Sequence, residues 1–301
     1  MHYTWSSRED KITVKRFLAN RGVSHRLLRQ IKEGGGKVWL DQKNVQLNTY
    51  VSKNEEVTLC LPPENNQEVK PDHEKIEVLL ENENWLVVNK PADLTSVPGP
   101  SNRTKTLVNR TKGYLLDKHA EDLVPHIITR LDRFTSGVVL IAKNRLAQGL
   151  INKQVEEKAI NKQYLAVIEG KISEKHGIIE QPIGRVGDQI RRTVLQNGQY
   201  AKTEYWVLSE NERGSLLRVK LHTGRTHQIR VHFAFCGHPL LGDELYGGEM
   251  QMGITRQALH ASTIEYTDPF NGTRQTITAP LPDDFTQLCD KIGLALPAFD
   301  Y

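Results

Sequence analysis

The chain has 301 residues, 38% of them hydrophobic and 25% charged, with a formal net charge of +4. That length can bury a sizeable core and suits two domains. The small surplus excludes a uniformly basic or acidic protein, so any affinity for nucleic acid must come from where the charges sit.

Cys60, Cys236 and Cys289 have neither metal nor redox spacing, which fits a reducing compartment without a disulfide framework. Residues 1–10 contain no apolar signal core, and no run approaches the roughly 20 apolar residues that span a bilayer. A soluble cytoplasmic protein is expected, monomeric and without membrane contact.

Residues 11–60 hold ten Lys and Arg against four Asp and Glu, more than the whole chain's surplus. Thr13 can cap a helix with Val14, Phe17 and Leu18 on its apolar face, and Gly22 ends it. Ser24 can cap a second helix that carries His25, Arg26, Arg29 and Lys32 outward and Leu27, Leu28 and Ile31 inward. After the stop at Gly34-Gly35-Gly36, strands are predicted over Lys37–Leu40 and Glu56–Leu61. The competing reading is a small helical domain with a solvated charged face. Residues 62–72 are proline-rich and polar, and read as a flexible linker.

The main body opens with strands over Ile76–Leu80 and Trp85–Val88, then a loop from Pro91 to Lys105. Helices are predicted over Thr106–Leu116 and Leu146–Lys158, with the strand Val138–Ala142 between them. Strands then dominate: Tyr164–Ile168, Thr203–Leu208, Ser215–Leu221, Gln228–His232, Ser262–Tyr266 and Gln275–Ala279. No internal repeat is visible. The fold class is α+β, a mixed and mainly antiparallel sheet with helices packed on it.

Chemistry concentrates at Arg130-Leu131-Asp132-Arg133-Phe134-Thr135-Ser136-Gly137, which runs straight into the apolar strand Val138–Ala142. A carboxylate between two guanidinium groups should stay ionised, ready as nucleophile or base. The same residues could form an ordinary surface ion pair ahead of a core strand. Other candidates are poorer. His222, His227 and His232 recur every five residues, a spacing that puts them on no common helix or strand face, so no metal site is expected. Asp243 reads as a turn residue rather than a second catalytic acid, and Ser136 has no evident His and Asp partners for a hydrolase triad.

Four segments in order resemble the RluA/RluD-type family of pseudouridine synthases: Trp85–Pro91, Arg130–Gly137, Asn161–Val167 and Thr223–His232. The resemblance runs from about Ile76 to Pro282. It implies a pseudouridine synthase fold over residues 76–301, whose central sheet is split by an active-site cleft, and a reaction that needs no cofactor. It places Asp132 as the catalytic carboxylate, attacking C1′ covalently or abstracting the C2′ proton to give a glycal. Tyr164 would stack on the target base and help remove the C5 proton, and Arg230 would pair with the carboxylate. Arg130 would enter the RNA helix as the base leaves, Leu259 would pack near that base, and Lys162 would contact a phosphate. One departure stands out: the family's histidine before Arg-Leu-Asp is replaced by Thr129, with His126 three residues earlier.

Residues 1–61 resemble the RNA-binding module of ribosomal protein S4, which would place Arg16, Arg21, Arg26, Arg29 and Lys32 against RNA, with residues 62–75 as linker. The implied function is isomerisation of uridine in RNA, with 23S ribosomal RNA as the substrate. Transfer-RNA-modifying enzymes share these motifs. A non-catalytic RNA-binding or ribosome-assembly factor on the same scaffold is a second reading, which loss of Asp132, Tyr164 or Arg230 would have favoured. An Asp-dependent glycoside or nucleoside hydrolase is a third, and it would require a paired second carboxylate.

Overall fold

The computed structural model describes residues 1–250 and 252–297. The N-terminal part comprises β1 (His2–Ser6), β2 (Ile12–Thr13), α1 (Val14–Asn20), α2 (His25–Lys32), β3 (Lys37–Leu40), β4 (Lys43–Val45), β5 (Tyr50–Val51) and β6 (Glu56–Cys60). Both expected caps are present: Thr13 Oγ1 accepts from Arg16 N and Ser24 Oγ accepts from Leu27 N. Four of these strands form a sheet in the order β1-β6-β3-β4, and β2 pairs with β5. Val14, Phe17, Leu18, Leu27, Leu28 and Ile31 close its core together with Leu146 of the main body.

The body continues with β7 (Glu77–Glu81), β8 (Trp85–Lys90), α3 (Leu107–Asp117), β9 (His126–Ile127), β10 (Ser136–Ala142), α4 (Arg145–Glu156), β11 (Asn161–Glu169) and β12 (His176–Glu180). Then come β13 (Ile183–Arg185), β14 (Arg192–Val194), β15 (Lys202–Asn211), β16 (Gly214–Leu221), α5 (Gln228–Phe235), β17 (Leu259–Thr267), β18 (Arg274–Thr278) and α6 (Asp283–Ile292). Ten strands make one sheet, with the main path β12-β15-β16-β11-β17-β10-β8-β7. Among the described residues, only its β10–β17 pairing is parallel. The mixed, mainly antiparallel sheet with flanking helices is therefore present.

Two sequence expectations differ from the structure. Gln228–His232 is helical, not a strand. Gln228, Ile229, Arg230, Val231, His232 and Phe233 are all buried, so the segment has no polar face to reveal a helical period. His227 turns the chain into α5 in the left-handed region, at φ 58°.

The proline-rich stretch 62–72 is tied down rather than flexible. Lys112 Nζ donates to the carbonyls of Asn66 (2.6 Å) and Val69 (2.9 Å), and Asn109 Nδ2 donates to Lys70 O at 2.6 Å. Glu64 N donates to Asp122 Oδ1 at 2.8 Å. The anchors sit on α3 and beyond, and no local pattern in residues 62–72 announces them.

Candidate active site

Asp132 lies in the loop that feeds β10, and that loop is held from several sides. Ser96 Oγ donates to Leu131 O at 2.7 Å and accepts from Leu131 N at 3.1 Å. The fully buried Lys90 ammonium donates to the carbonyls of Pro91, Leu94 and Arg133. Burial pushes its pKa down to about 7, and the charge on Asp132 opposes that fall. Arg256 Nη1 donates to Phe134 O and Leu259 O while its other nitrogens grip Asp284. Gly137, at φ 115°, then lets β10 lie against β17; a Cβ there would stand 2.2 Å from Ala261 O. The result is a carboxylate whose backbone is fixed and whose side chain is 30% exposed.

The cations around Asp132 are not those its neighbours in sequence suggest. Arg133 turns away and pairs with Asp93 at 2.7 Å, and Arg130 is exposed on the cleft rim. The facing guanidinium is that of Arg230 on α5, whose Nη1 is 3.6 Å from Asp132 Oδ2. His227 Nε2 lies 3.9 Å from the same oxygen. In a tight turn, successive side chains diverge, so adjacency in sequence does not put charges together.

Asp243 is more than a turn residue. It precedes the 3-10 turn Glu244–Tyr246, and its carboxylate is fully buried. It accepts from Arg230 Nε and Nη2, both at 2.7 Å, in a bidentate pair. Arg230 thus spends two nitrogens on Asp243 and aims the third at Asp132. The Tyr246 ring lies 4.9 Å from the Arg230 guanidinium, and its hydroxyl pairs with His227 Nδ1 at 2.9 Å. Burial holds the His227 imidazole below the ordinary histidine value, against the pull of Asp132.

Tyr164 stands at a register shift between Gln163 and Tyr164, where β11 pairs with β17. An irregularity of this kind re-aims a side chain, and here it lies in the wall of the cleft. Burial and the charge on Asp132 both raise its hydroxyl well above the ordinary tyrosine value. Leu259 and Lys162 line the same cleft, which encloses about 430 Å³. Asp132, Tyr164, Arg230, Arg130, Lys162 and Leu259 are therefore brought together.

The remaining sequence questions resolve locally. Thr129 Oγ1 accepts from Leu140 N at 3.0 Å, so it fastens the strand after the loop. His126 turns instead to Glu64, at 3.0 Å. Ser136 does have a histidine partner, His260 Nδ1 at 3.0 Å, but both are buried between β10 and β17 and do not line the cleft. His222 pairs with Glu204 and His232 with Thr203, so the three regularly spaced histidines face different neighbours. The sequence reading gave no such role to Asp243, His227 or Tyr246, because their partners lie 13 to 19 residues away along the chain, and it assigned none to Lys90, which ties Arg133 O to its own loop across 43 residues.

The five cations expected on the N-terminal module separate. Arg29 and Lys32 line an 880 Å³ groove with Lys15, His25 and Lys37. Arg16 and Arg26 are exposed outside it. Arg21 folds over the Phe17 ring and donates to Phe17 O and Ser6 O.

Residues 84–235 match the family described as RNA pseudouridylate synthase. The chain is 35% identical over 280 residues to the Uncharacterized RNA pseudouridine synthase YjbO of Bacillus subtilis, covering 92% of this chain and 98% of that one. It is 35% identical over 275 residues to Ribosomal large subunit pseudouridine synthase D of Nitrosomonas europaea, covering 84% and 78%. Among solved structures, Human RNA Pseudouridylate Synthase Domain Containing 1 superposes with a TM-score of 0.58 at 27% identity, over 70% of this chain and 85% of that one. Human RNA Pseudouridylate Synthase Domain Containing 4 shares the fold, with a TM-score of 0.63 at 22% identity over 74% and 95%. With this coverage on both sides, the chain belongs to the RNA pseudouridylate synthase family, the enzymes that isomerise uridine in RNA.

Proposed function

We propose that the protein converts a uridine of large-subunit ribosomal RNA to pseudouridine, with Asp132 as the group that acts on the ribose. The observation that carries this is the meeting of Asp132, Arg230 and Tyr164 in one cleft, with the carboxylate the exposed member. Attack at C1′ and proton removal at C2′ both free the uracil from its N-glycosidic bond. The base then turns and bonds through C5 to C1′, displacing the carboxylate or, from the glycal, with the proton returned to C2′; C5 loses its proton to solvent as N1 gains one, so the change is an isomerisation without redox. Tyr164 gives the base a face and a hydroxyl near C5, Leu259 gives it an apolar wall, and Arg130 at the rim is free to fill the gap it leaves in the RNA. Thr129 also lines the cleft, but its hydroxyl is occupied with the backbone of Leu140, and Asp132, Arg230 and Tyr164 are all in place, which favours the catalytic reading. The ribosomal substrate follows from the names of relatives such as the Nitrosomonas europaea protein. The matching test is pseudouridine mapping of total RNA from cells lacking the gene. Loss of one or more sites in large-subunit rRNA is expected. Loss confined to transfer RNA would move the substrate, and an unchanged map would remove the activity.

The N-terminal module supports the same reading as an RNA grip, S4-like in its two helices and small sheet. Its groove, not the full set of arginines, is the surface we assign to phosphate. Deleting residues 1–61 would strip the cover from Leu146 and Leu150, so substitution is the cleaner test. Lys15→Gln, Lys32→Gln and Lys37→Gln together should weaken binding of a substrate rRNA fragment by about tenfold or more at moderate salt. They should also flatten its salt dependence by roughly two contacts. Unchanged affinity and slope would show that the groove does not hold RNA.

A further inference from the structure

Most cations of the cleft already have partners. Arg230 serves Asp243 and Asp132, Arg133 serves Asp93, and Arg225 serves the carbonyl of Tyr200. Lys162 differs. Its side chain is half-buried in the cleft wall, and no hydrogen bond or ion pair engages its ammonium among the described residues. Burial alone lowers its pKa, with no carboxylate close enough to oppose the fall. A partly desolvated ammonium without a counter-charge is a ready partner for an anion. Gly224 faces it: a Cβ built there would stand 3.6 Å from Nζ, so the glycine leaves space beside the charge.

Lys162 is also where two cavities meet. Lys162, Leu221, Gly224 and Arg225 line both the Asp132 cleft and a neighbouring groove of about 330 Å³. That groove shares Lys158, Ile160, Leu221 and His222 with a further one of about 590 Å³, which adds Lys220 and the half-exposed ring of Tyr200. Lys158 Nζ sits 5.9 Å from that ring. Carboxylates here are few or engaged: Glu265 pairs with Arg274 and Glu204 with His222, while Glu156 sits on the wall of the smaller groove. Cations spaced along a trough, with one exposed aromatic face, suit a single nucleic-acid strand.

We infer that Lys162 binds the phosphodiester next to the target nucleotide, and that the RNA strand leaves the cleft through this trough past Lys158 and Lys220. The inference rests on the RNA-modifying reading of the cleft. It adds a strand path that the motif residues themselves do not specify.

The test uses full-length protein and a fluorescein-labelled rRNA fragment carrying the uridine found by mapping. Should mapping find none, a labelled uridine-rich single strand serves, so that affinity is read apart from turnover. Lys162→Gln should raise Kd about five- to tenfold and shrink the slope of log affinity against log salt by roughly 0.7, one single-strand phosphate contact. Lys158→Gln with Lys220→Gln, the first exposed and the second half-buried beside the trough, should do the same in proportion. One neutral methylphosphonate beside the target should weaken wild-type binding by the factor seen for Lys162→Gln and leave that variant unaffected. Wild-type affinity and slope in Lys162→Gln would overturn the inference, as would a methylphosphonate scan in which no position is silent in the variant. Either result would leave the uridine reaction standing.

Discussion

Replacing Asp132 by asparagine is expected to lower the single-turnover rate by at least about a thousandfold, roughly 4 kcal/mol of transition-state stabilisation. RNA affinity should stay within about threefold. Asparagine has the same outline but can neither attack C1′ nor take a proton from C2′. The fold should tolerate the change. The loop is fixed through Ser96, Lys90 and the backbone bond from Thr135 N to Asp132 O, none of which uses the carboxylate. Arg230 keeps its bidentate partner Asp243, so no buried cation is stranded. Tritium release from C5-labelled rRNA reports the reaction, and thermal unfolding reports the fold. Release near the wild-type rate by a folded Asp132→Asn protein would remove the carboxylate from the chemistry.

How much of this was legible before folding depends on the range of each interaction. The carboxylate was legible because its loop and the strand after it are contiguous in sequence. Arg230 as its partner was legible only through resemblance to a family, because α5 is far along the chain. The charge pattern pointed instead to Arg130 and Arg133, and Arg133 went to Asp93. The segment Gln228–His232 was misread because a helix buried all round shows no amphipathic period. Residues 62–72 looked like a linker for a related reason. Their stability comes from Lys112 and Asn109, and a proline-rich polar stretch looks the same whether or not such anchors exist. Local capping signals behaved well, since Thr13 and Ser24 each cap the first turn of a helix through a bond to the backbone three residues on.

The second large effect should come from a residue that never meets the substrate. Asp243 is completely buried and holds two of the three terminal contacts through which Arg230 is fixed. Asp243→Asn should lower kcat by about a hundredfold and leave KM within about threefold, because the residue aims Arg230 without lining the cleft. It should also cost stability, unlike the change at Asp132. Removing one partner of a buried bidentate pair typically costs about 3 kcal/mol, because the remaining charge is left poorly satisfied. Asp132 offsets part of that as a second anion, but at 3.6 Å it is a looser contact. The thermal midpoint should therefore fall by several degrees, about 2–4 °C for each kcal/mol in a domain of this size. A double-mutant cycle separates aiming from general damage. With Arg230→Gln already present, Asp243→Asn should change kcat by less than about threefold, since its target is gone. If the two losses simply multiply, Asp243 acts on the reaction by a route other than Arg230. If Asp243→Asn raises KM in step with any loss of kcat, it supports substrate binding rather than the geometry of the carboxylate.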